Sequence, residues 1–159
     1  MLKALLVLAF LWPSIAMAEP FRFSIYRDDT APTATHLQNS YFLNLLTSLH
    51  YKVRVGGYWD DKRNIWIADK DGDCQRKTAW VMKELLKKGF PPASMRGYIG
   101  KYYDPVQKKE LDHAWLVVAI ILPNGEPKTY IVDFVNETIL ESGQAKGYRG
   151  IPRVRIVRE

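Results

Sequence analysis

Residues 112–135 read Asp112-His113-Ala114-Trp115-Leu116-Val117-Val118-Ala119-Ile120-Ile121-Leu122-Pro123-Asn124-Gly125-Glu126-Pro127-Lys128-Thr129-Tyr130-Ile131-Val132-Asp133-Phe134-Val135. Two runs rich in β-branched and aromatic residues flank Pro123-Asn124-Gly125-Glu126, and Asn-Gly between such runs is a strong hairpin signal. The expected strands are residues 114–122 and 129–135. Asp133 puts a carboxylate inside an otherwise apolar strand, which is costly unless the charge is paired. His113 stands where a charged loop gives way to the most apolar strand of the chain, and its imidazole is a partner of the right kind.

Whether the two can meet depends on the loop, because a strand alternates its faces and one residue of slip turns every side chain over. A two-residue turn at Asn124-Gly125 puts Asp133 opposite Leu116 and leaves His113 on the other face. A three-residue loop centred on Asn124 puts Asp133 opposite Trp115, with His113 its diagonal neighbour on the same face. The expectation is an odd loop or a bulge in this hairpin. Asn136 is the reserve partner for His113 should the shorter turn form, since asparagine can also orient an imidazole.

The only cysteine, Cys74, follows Lys70-Asp71-Gly72-Asp73 and precedes an amphipathic run. Asp73 is a good N-cap, residues 73–88 read as a helix burying Ala79, Met82, Leu85 and Leu86, and Gly89 stops it ahead of Pro91-Pro92. Cys74 therefore falls in the first helical turn, where free N–H groups and the helix dipole favour an anion and thiols turn nucleophilic. A thiol acting on an acyl group needs a base, something to orient that base, and donors for the oxyanion. Cys74, His113 and Asp133 fill the roles of nucleophile, base and orienter. His36 and His50 read as surface or helix-end residues.

The rest of the chain supports one domain. Leu37, Tyr41, Leu45 and Leu49 recur at helical spacing and predict a core-facing helix over residues 35–50. Extended segments are expected at 21–26, 52–58, 95–103 and 153–157, with a charged loop over 59–73. The order is helix, strand, helix and then an antiparallel sheet, which defines an α+β domain over residues 19–159. Ahead of it, Lys3, an apolar stretch broken by Pro13, and Ala16-Met17-Ala18 predict a cleaved signal peptide at residues 1–18. The expected setting is the periplasm or the exterior. The formal net charge of +6 is scattered, with no aromatic and basic interleaving of a nucleic-acid motif, so no nucleic-acid partner is expected. Nor is stable membrane insertion after cleavage.

Gly72-Asp73-Cys74 opening a helix, Asp112-His113-Ala114-Trp115-Leu116-Val117-Val118 on one strand, and Ile131-Val132-Asp133 on the next resemble the bacterial transglutaminase-like cysteine proteinases. The resemblance spans roughly residues 65–136. It implies a papain-like core, a catalytic helix packed on an antiparallel sheet, and hydrolysis of a peptide or amide bond in a protein or peptide substrate. Transfer to an amine, which cross-links proteins, is the related outcome. Cys74, His113 and Asp133 match the family's catalytic trio, and Trp66 matches a tryptophan that lines the site. Arg76 is a candidate for a substrate carboxylate, and Trp115 for the substrate wall. Calcium-dependent members carry acidic residues directly after the cysteine. Gln75-Arg76 departs from that pattern, so no cofactor is expected, although Asp60, Asp61, Asp69, Asp71 and Asp73 could gather calcium from the preceding loop. The rival from another class is a non-catalytic module that holds a peptide or glycan beside Tyr98, Tyr102, Tyr103 and Trp115.

Overall fold

The computed structural model describes residues 21–50, 52 and 66–159. The expected leader, Asp60 and Asp61 lie outside these residues, as does the expected strand at 52–58 apart from Lys52. Among the described residues are β1 (Phe23–Arg27), β2 (Thr35–His36), α1 (Asn39–His50), α2 (Cys74–Lys87), β3 (Met95–Asp104), β4 (Lys109–Ile121), β5 (Pro127–Asp133), β6 (Thr138–Glu141) and β7 (Tyr148–Arg158). One sheet joins the strands in the order β1-β7-β3-β4-β5-β6, every pairing antiparallel, while the two-residue β2 runs parallel to the end of β4. The protein is a mixed α+β fold with an antiparallel sheet.

α2 forms where its caps dictate. The Asp73 carboxylate accepts the Arg76 N–H at 3.0 Å, satisfying one of the donors that the first turn leaves over. At the other end Gly89 takes φ +81°, and the Phe90 and Gly89 N–H groups return to the Leu85 and Leu86 carbonyls, both at 3.0 Å. This is the double bond of a Schellman ending, for which glycine has no side chain to strain. Between the caps Ala79, Val81, Met82 and Leu85 are fully buried.

α1 begins four residues later than the helical period predicts. Thr35 and His36 pair with Ile120 and Ile121 of β4, a stretch that β3 does not reach because its own pairing starts at Met95 with Val118. The Leu37 N–H also goes to the Ile121 carbonyl, at 3.2 Å, so tertiary pairing overrides the local helical pattern. β4 and β7 are longer than their apolar runs suggest. β4 starts at Lys109 because β3 pairs with it across charged residues, the Lys101–Asp112 ion pair at 2.7 Å included. His113 consequently lies within the strand rather than at its mouth. β6, which the sequence did not announce, pairs with β5 from Tyr130 to Asp133.

The sheet has two different faces. Leu116, Val118 and Ile120 of β4, Tyr130 and Val132 of β5, and Val154 and Ile156 of β7 pack with α1 and α2 in the main core. Trp115, Val117 and Ile131 point the other way and form a smaller core with Ala145, Tyr98 and Tyr148. Gly150 makes this second core possible, since a Cβ there would sit 2.5 Å from the Trp115 ring.

Candidate active site

The hairpin loop decides the geometry. β4 and β5 pair from Leu116 with Val132 through Ile121 with Pro127, and the Leu122 N–H donates to the Glu126 carbonyl at 2.9 Å. The loop is therefore the three residues Pro123, Asn124 and Gly125, with Gly125 at φ +83° supplying the left-handed residue this loop type needs. The register is the odd one. Continued by one step it sets Asp133 opposite Trp115, and His113 becomes its same-face neighbour.

His113 Nε2 and Asp133 Oδ2 lie 2.6 Å apart, and the two residues are only 7% and 2% exposed. Asp133 divides its oxygens between two tasks. Oδ1 accepts the N–H groups of Val135 at 3.0 Å and Asn136 at 3.3 Å, which turns the chain out of β5. Oδ2 takes the imidazole, the Asn136 amide at 2.6 Å and the Tyr148 hydroxyl at 2.8 Å. Asn136 thus joins Asp133 rather than replacing it, and its amide also lies 3.5 Å from His113 Nε2.

Tyr148 is a site residue that the sequence reading missed. It stands on the part of β7 that precedes the expected strand, and Gly147-Tyr148-Arg149-Gly150 shows no apolar alternation to mark it. Burial and the adjacent Asp133 charge push the Tyr148 phenol well above its ordinary value, so it remains a donor to the carboxylate. Tyr102 and Trp115 complete the surroundings of the imidazole, with ring centroids 5.7 Å and 6.1 Å from it.

Cys74 reaches the ring from α2. β5 pairs with β4 no further than Leu116, so His113 is flanked by β3 alone, and the first turn of α2 meets it there. Burial drives the imidazole toward its neutral form, but hydrogen bonds and charge from Asp133 and Cys74 outweigh that, and the His113 pKa rises from 6.5 to about 9. Nε2 faces Asp133. Asp133 is held below its ordinary value: burial opposes the charge, and His113, Tyr148 and Asn136 more than compensate. The sulfur side is enclosed too, with Cys74 only 3% exposed.

The three candidate substrate contacts have the following surroundings. Trp66 packs over Gly97, where a Cβ would come within 2.7 Å of its ring, and lines a recess with Ile25, Arg27, Arg153 and Val154. It is not among the groups around His113 or Asp133. Arg76 folds its stem back on Gly72, whose missing side chain gives it room. Trp115 is 2% exposed, so it is a buried support for the histidine and not an open wall. Among the described residues no three His, Cys, Asp or Glu side chains are grouped to hold a metal ion. None of the helices there is long and apolar enough to cross a membrane.

A thiol, an imidazole and a buried carboxylate in series form an arrangement suited to nucleophilic attack on an acyl carbon. No family model, curated protein or solved structure matches the chain.

Proposed function

We propose that this protein is a thiol hydrolase that cleaves a peptide or amide bond, with Cys74 as nucleophile, His113 as proton carrier and Asp133 as orienter. One observation carries the reading: a buried imidazole is fixed by a carboxylate at 2.6 Å, and Cys74, the only thiol of the chain, acts on the same ring. In the first step the sulfur attacks the carbonyl carbon while His113 holds the thiol proton. That proton then passes to the leaving amine, and a thioester remains on Cys74. Water, deprotonated by His113, attacks the thioester and releases the acid and the free thiol. N–H groups of the first turn of α2, which lack intrahelical acceptors, are donors for the oxyanion. An amine in place of water would give cross-linking by the same steps. The reading requires no cofactor, takes a protein or peptide as substrate, and with the expected leader sets the reaction in the periplasm or outside the cell.

Iodoacetamide is small enough for an enclosed thiol. At neutral pH it should label the wild-type protein at least about a hundredfold faster than His113→Ala, the scale of effect that a positioned acid–base group supplies. Equal and slow labelling of the two proteins sinks the proposal. Mapping of new termini in surface and periplasmic proteins, by wild type but not Cys74→Ala, with and without calcium, would then identify the bond cleaved.

A further inference from the structure

Lys77 lies on α2 three residues after Cys74, hence on the same side of the helix. It is 1% exposed, and its ammonium has no hydrogen-bond partner among the described residues. A buried, unbonded cation is among the most costly things a fold can contain unless opposite charges lie close to it. The charges that act on Lys77 are identifiable. Asp71 and Asp73 come from the loop and cap before α2, Cys74 from its own helix, and Asp133 from β5. His113 on β4 stands between the last two.

This arrangement poses an electrostatic problem. Asp133 fixes the imidazole, yet its negative charge also repels any anion that forms on the sulfur. His113 carries one positive charge and faces two negative ones once the thiolate exists.

We propose that Lys77 is a positioning residue of this site: its enclosed ammonium supplies the second positive charge, offsets Asp133, and allows the sulfur to persist as an anion beside the imidazolium. The inference rests on the thiol–imidazole reading above. Burial pulls the Lys77 amine below its ordinary value, and Cys74, Asp71, Asp73 and Asp133 oppose that pull.

The test compares the pH dependence of Cys74 alkylation by iodoacetamide in wild type, Lys77→Met and His113→Ala. Loss of one balancing charge should move the half-maximal pH of labelling upward by about one unit, so that Lys77→Met labels about tenfold more slowly at neutral pH. At high pH, where every thiol is ionised, its rate should return to that of wild type. A merely structural lysine would not produce that recovery. If Lys77→Met labels like wild type at every pH while His113→Ala is slow, the Lys77 role is wrong and the thiol–imidazole pair stands. If His113→Ala also labels like wild type, both fail.

A second measurement needs no substitution and decides the matter if Lys77→Met does not fold. Coupling between two charges is reciprocal, so capping Cys74 of the wild-type chain with a neutral methylthio group must make Lys77 easier to deprotonate. The titration of the Lys77 Nζ signal, followed by NMR, should move to lower pH by about one unit on capping. An unmoved titration overturns the proposal.

Discussion

Asp133 ties together several parts of the described structure. It accepts five hydrogen bonds, three on Oδ2 and two on Oδ1, so the turn after β5 and the orientation of the imidazole depend on one carboxylate. Tyr148→Phe removes a single donor to a buried charge and should lower unfolding stability in urea by about 1–3 kcal/mol. Its effect on labelling should be small beside that of Asp133→Ala, because His113 and Asn136 still hold the carboxylate. The histidine gives the protein a pH signature. Its pKa of about 9 lies above the ordinary 6.5, so His113 contributes its full share of stability below pH 6.5 and loses it as the pH rises through 9. Asp133 acts in the opposite direction, its contribution being present above the ordinary 3.8 and lost as acid passes its depressed value. Thermal unfolding of wild type should therefore occur at falling temperature from pH 6.5 to pH 9, and in His113→Asn the decline over that interval should be much shallower.

At the scale of elements, the three-residue loop of the β4–β5 hairpin fixes which face receives the carboxylate. Insertion of one residue beside Asn124 would slip β5 and send Asp133 to the face of Leu116 and Val118, where the imidazole is not. The expected result is a chain whose remaining folded fraction labels at the rate of His113→Ala. Gly125→Val, at φ +83°, should keep the register and cost about 1–2 kcal/mol of unfolding stability. This hairpin also shows what the sequence could and could not reveal. Asn124-Gly125 marked the hairpin, the need to pair Asp133 with His113 pointed to the odd register, and Asp73 and Gly89 marked both ends of α2. Those signals are local, written in caps and turn residues. Thr35 and His36 were misread as helix because their partner, the free end of β4, is distant in sequence. Tyr148 and Lys77 escaped notice for a similar reason: polar residues without a pattern acquire meaning only from what the fold brings to them. Trp66 and Trp115 pose the opposite difficulty, since an aromatic ring suits a substrate wall and a core equally well until burial is known.

For the whole molecule, the strand order is decisive. Among the described strands β7 comes last in sequence yet sits inside the sheet, between β1, the first of them, and β3. It brings Tyr148 to Asp133 and the small Gly150 under the Trp115 ring. A chain ending at Gly147 should lose cooperative unfolding by circular dichroism, since β1 would have no neighbour and the second core no floor. Pairings that join the two ends of a polypeptide also form late, because a long loop must close before they return any stabilisation. Residues leave the ribosome in sequence order. The Tyr148 donor to Asp133, which β7 carries, thus arrives after the helix and strands that hold Cys74, His113 and Asp133 itself.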